Sequence, residues 1–62
     1  MKIIIIDPNT DEVIINELPK KYEPVDSDIN EYFRTIGYSD SYIDNLQYHI
    51  TKNLTIKFNI LI

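Results

Sequence analysis

Residues 3 to 6 are four consecutive isoleucines. Successive side chains of a strand point to opposite faces, so two of the four go to each side of any sheet they join. Both sides then need an apolar cover. The other end of the sequence makes a related demand. In residues 53–62, Leu54, Ile56, Phe58, Ile60 and Ile62 fall on every second position, with Thr55, Lys57 and Asn59 between them and only Leu61 breaking the alternation. This is the period of a strand with one buried face, and the segment is expected to form the last strand.

Few residues are left to do the covering. The chain has 62 residues, and a domain of that size buries only about 60% of the surface its unfolded form exposes. It contains no cysteine, which excludes disulfides, thiol catalysis and a thiolate zinc site. Association with a second copy is the simplest remaining source of core. Met1 and Lys2 precede an apolar run too short for a signal peptide or a membrane span, so the start reads as that of a cytoplasmic protein.

Between the two ends the punctuation is local. Asp7-Pro8-Asn9-Thr10-Asp11 has turn chemistry, with Pro8 presetting φ and the Asp and Asn side chains able to bond nearby backbone, so residues 2–6 and 13–16 are expected to form a hairpin. Two prolines in Leu18–Pro24 disfavour helix and central strand and mark a connection. Asp26, Ser27 and Asp28 can each cap a helix, and Asp28 and Glu31 stand at capping-box spacing. Ile29, Tyr32, Phe33 and Ile36 then make one apolar stripe, ended by Gly37, the only glycine. A second helix is expected from Ser39 or Ser41, with Ile43, Leu46 and Ile50 as its inner stripe. The fold class that follows is α+β: a β-hairpin, a two-helix unit and a C-terminal strand (ββααβ), forming one small domain over residues 1–62 with a three-stranded sheet and both helices on one face.

The far sheet face would keep two of the N-terminal isoleucines, at least one of Val13, Ile14 and Ile15, and Leu61. We expect a homodimer that buries this surface, with Ile3, Ile5, Ile14 and Leu61 at its interface.

Net charge is −4, and all ten acidic residues lie between Asp7 and Asp44. Such a surface repels phosphate, which argues against nucleic acid and anionic membranes as partners. The second helix has helix-turn-helix spacing after the first, yet residues 39–48 contain no Lys or Arg. Its carboxylates fit instead a host protein with a basic surface. Asp28, Glu31, Asp40 and Asp44, flanked by Tyr38 and Tyr48 as exposed rings, are the expected partner-binding residues.

Catalytic and metal chemistry find little to work with. Asp7, Asn9 and Asp11 match the opening of a calcium loop, but Glu12 stands where glycine is needed and Leu18 where a bidentate Glu is needed. His49, the only histidine, is expected at a helix end without an orienting partner or a nucleophile. No cofactor is expected. Thirteen isoleucines, six asparagines and no alanine are the usage of an AT-rich genome. The function expected from these features is a non-enzymatic, acidic inhibitor or adaptor of phage or mobile-element type acting on a host protein, those of defence systems included. A structural subunit of a larger hetero-complex is the alternative, and an enzyme using His49 comes third.

Overall fold

The computed structural model describes residues 1–57 and 59. The elements run β1 (Lys2–Asp7), β2 (Glu12–Glu17), α1 (Asp26–Thr35), α2 (Asp40–Ile43) and β3 (Gln47–Thr51). They form an α+β fold in the expected ββααβ order. The sheet is antiparallel with strand order β2-β1-β3, so the isoleucine strand is central.

The hairpin forms where its turn chemistry places it. Asp7 pairs with Glu12, the Asn9 N–H donates to Asp7 Oδ1 at 2.9 Å, and Asp11 takes the left-handed conformation at φ 56°. Asp tolerates that region better than most residues because its short side chain bonds locally.

The isoleucine run divides two and two. Ile3 and Ile5 are fully buried with Ile29, Tyr32, Phe33 and Ile43 beneath the helices. Ile14, Tyr48 and Ile50 share that face as cross-strand neighbours of Ile5, Ile5 and Ile3. Ile4 and Ile6 therefore point the other way, beside Ile15 and Val13. Three of the expected dimer residues are on the wrong parity, Ile3 and Ile5 being core and Ile14 packing against that core; the fourth, Leu61, lies outside the described residues. Two isoleucines per face follow from strand geometry, but which two is decided by the helices.

α1 follows its stripe through Ile29, Tyr32 and Phe33, while Ile36 is exposed as the C-cap. Its start differs from expectation. Val25 is the N-cap, with no side-chain bond, and Asp28 instead accepts the Glu23 N–H at 2.7 Å, tying the helix to the connection before it. The capping-box reading of Asp28 and Glu31 is thus not realised. The end of α1 is a Schellman motif: Tyr38 N–H to Phe33 O at 3.0 Å and Gly37 N–H to Arg34 O at 3.1 Å, with Gly37 at φ 110°.

The second helix and the last strand need a larger correction. α2 starts as expected, Ser39 accepting the Tyr42 N–H at 3.3 Å, but stops after one turn at Ile43. Ile50 then belongs to β3, not to a helical stripe. Leu46, Tyr48 and Ile50 also alternate at period two, and the aromatic and β-branched residues among 48–51 suit a strand better than a helix. The third strand is therefore residues 47–51, not 53–62. Leu54 to Lys57 and Asn59 lie in no helix or strand, and the rest of the expected last strand lies outside the described residues.

Candidate functional site

The helix layer is joined to the sheet by tyrosines. Phe33 is the hub: Tyr38 and Tyr48 meet it edge-on, each with ring centroids 5.9 Å away. Tyr38 also stacks on Tyr42 at 5.3 Å and 4°, and Tyr22 meets Tyr32 at 5.5 Å. Edge-to-face and offset-stacked pairs are the favoured aromatic geometries. Tyr38 and Tyr48, expected as exposed rings of a partner surface, are both half-buried and packed against the core. Polar neighbours in sequence gave the wrong reading because Tyr48 sits on the helix-facing side of β3 and Tyr38 completes the Schellman turn.

Four of the five tyrosine hydroxyls have a hydrogen-bond partner among the described residues, that of Tyr22 donating to Thr35 Oγ1 at 3.3 Å. Tyr42 donates to Asp7 Oδ2 at 2.5 Å, Tyr48 donates to Asp26 Oδ1, and Tyr32 accepts from Asn16 Nδ2 at 3.3 Å. Asp7 is the one buried charged residue among those described. The Tyr42 hydroxyl holds its carboxyl below the ordinary Asp value; burial opposes this, and bonds from Asn9 and Thr10 add to it. The same bond to Asp7 raises the Tyr42 phenol. Tyr48 is pushed up to about 12, chiefly by its bond to Asp26 and next by burial. Asp7 is thus committed to the fold. Among the described residues no cluster of three metal-ligating side chains forms.

The acidic side of the molecule is partly self-neutralised. Arg34 binds Asp40 at 2.7 Å and Glu31 at 3.5 Å, and the contact with Asp40 raises the guanidinium pKa further. Asp28 holds the Glu23 backbone. Of the expected partner-binding carboxylates, Asp44 alone has no side-chain hydrogen bond or ion pair among the described residues, and it is exposed at the C-cap of α2.

The opposite side of the sheet carries no helix. Ile6 is 41%, Val13 63% and Ile15 40% exposed, with Ile4 half-buried between Ile15 and His49. A Lys2–Glu17 ion pair closes one end of this strip, and Gln47, His49 and Thr51 extend it across β3. His49 is therefore a mid-strand, exposed residue on an apolar face, not the helix-end residue expected. The parity of Val13 and Ile15 against Ile4 and Ile6 is the signal that would have located this face, once the register was known.

A third feature is an open cleft of about 410 Å³ formed by Met1, Pro24 and residues 48–52. It runs beside β3, the strand at one edge of the sheet. No helix among the described residues is long and apolar enough to cross a membrane. Comparisons with protein-family models, curated proteins and solved structures find no match to this chain.

Proposed function

We propose that this chain is a non-enzymatic protein-interaction module that works as a homodimer, its sheet faces together and its acidic helix layer turned outward as the surface that inhibits or recruits a basic partner. The observation that carries the reading is the exposed strip of Ile4, Ile6, Val13 and Ile15 on the sheet face opposite the helices. Three exposed aliphatic side chains around a fourth, half-buried one on a flat face are an unpaired half of a sandwich core. A second copy supplies an identical strip, and a two-fold axis brings like surfaces together without unlike charges having to match. The carboxylates of the helices lie on the other layer, and Glu17, at one end of the strip, is paired with Lys2, so neither opposes this contact.

On the outward side, Asp44 together with the Arg34-linked Glu31 and Asp40 presents negative charge that a basic protein surface complements. Asp28 contributes less, because its carboxylate is committed to the Glu23 backbone.

Sedimentation equilibrium over a range of concentrations tests the dimer. The wild-type chain sediments as twice its mass, and Val13→Lys, at an exposed position outside the core, sediments as a monomer. A well-folded wild-type monomer at high concentration would falsify the reading, and a chain that is soluble only with an unlike protein would favour a hetero-complex subunit instead.

A further inference from the structure

β3 pairs with β1 on one side only, and among the described residues nothing pairs with its other side. An unpaired edge presents free backbone donors and acceptors that another strand can complete. Tyr48 and Ile50 point to the helices, while His49 and Thr51 point the other way. The cleft formed with Met1 and Pro24 touches all four in succession, so it runs along the length of β3 and not over one face alone.

The sequence supplies a strand pattern whose described part is not placed in the sheet. Leu54, Ile56, Phe58, Ile60 and Ile62 alternate with polar residues, yet Leu54 to Lys57 belong to no strand. Folding back onto its own β3 through Lys52-Asn53 would need a two-residue primed turn, with positive φ at one or both positions. Positive φ occurs only at Asp11 and Gly37 among the described residues. Instead the Thr51 hydroxyl donates to the Asn53 carbonyl at 2.9 Å, a local bond that holds the backbone at the exit from β3.

We propose that residues 54–62 of one copy add as a strand to the open β3 edge of a second copy, reciprocally, so that the dimer is closed by strand exchange. This rests on the homodimer reading and deepens it. The distances agree: sheets stacked face to face lie about 10 Å apart, which about three extended residues cross at roughly 3.3 Å each. Six of the nine residues then remain, against a β3 of five. Charge agrees as well. Lys57 travels with the segment, and the cleft, with its own Lys52 at one end, is bordered by Pro24 and Tyr48, next to Glu23 in sequence and to Asp26 through the Tyr48 hydroxyl.

The test compares the full chain with one ending at Asn53 by sedimentation equilibrium, with circular dichroism on both. Removing the segment raises the dimer dissociation constant about 10-fold or more, the loss of one or two buried aliphatic side chains being enough for that. Isotope-filtered NOEs on a mixture of labelled and unlabelled full chain supply a second readout that needs no variant. They connect residues 54–62 of one copy with residues 47–51 of the other. An unchanged dissociation constant, or contacts confined to one chain, overturns the exchange. If Val13→Lys separates the copies and truncation does not, the sheet-face dimer stands without exchange. If truncation separates them and Val13→Lys does not, the edge is the interface and the face reading fails.

Discussion

Tyr42 donates its phenolic hydrogen to Oδ2 of Asp7, linking the end of the central strand to the single turn of α2 across 35 positions of sequence. A one-turn helix has almost no stability of its own, since nucleation fixes several residues for one hydrogen bond. The Ser39 cap and this bond therefore do much to hold α2 in place.

Because the folded Asp7 carboxyl lies below its ordinary value of 3.8, its contribution is complete above that pH and is lost as pH falls through the lowered folded value. Tyr42→Phe removes the main cause of the shift. Urea melts at pH 7 should show the variant less stable than wild type, and the gap should narrow as pH falls below 3.8 and on through the lowered folded value, as linkage requires. A gap independent of pH would mean that the bond does not govern Asp7.

The Tyr48 phenol is raised to about 12 by Asp26. A raised pKa stabilises the fold below the unfolded tyrosine value of 10.0 and loses that contribution as pH climbs from there to the folded value. Tyrosinate absorbance should therefore show, besides the raised Tyr42, a late-titrating ring that moves back toward 10 in Asp26→Asn.

Gly37 sits at φ 110°, and a Cβ built there meets nothing within 4 Å. Gly37→Ala consequently acts through the backbone alone and should cost about 1–3 kcal/mol. Denaturant midpoints would check this; a neutral substitution would imply that the Schellman turn rearranges freely.

Phe33 is 1% exposed and touches three tyrosine rings. Phe33→Ala should cost about 3–5 kcal/mol, comparable with the whole stability that a core of this size supplies. Loss of the cooperative thermal transition is the expected result, and Phe33→Leu should keep it.

On the outward side, Asp44→Lys should weaken binding of a basic partner, and added salt should do the same, because exposed charges are screened within about 10 Å at 0.1 M salt. Affinity measured by titration calorimetry at two ionic strengths tests both. Asp28→Asn should alter stability more than affinity, since Asp28 holds the start of α1.

What could be read from the sequence was what is decided locally. The hairpin turn from Asp7 to Asp11 and the stripe Ile29, Tyr32, Phe33 ending at Gly37 depend on neighbours a few positions away, and both formed. The segment from Ile43 to Ile50 satisfied a helical and a strand period at once, and only pairing of Tyr48 with Ile5 and of Ile50 with Ile3 resolves it. The apolar face was legible in kind but not in membership, because alternation divides Ile3 to Ile6 into pairs without saying which pair meets the helices. The tyrosine contacts were not legible, since Tyr38 and Tyr48 reach Phe33 through the turn and the sheet and not through sequence spacing.

The position of β1 between β2 and β3 also orders the birth of the fold. During synthesis β1 emerges ahead of both partners. The hairpin with β2 needs only nearby residues, but the second side of β1 stays open until Thr51 has cleared the ribosome. Until then a ribbon of isoleucines is half-sheltered, so that the pace of elongation, and any chaperone waiting at the exit, bears on how much of this protein reaches its sheet instead of a neighbour's.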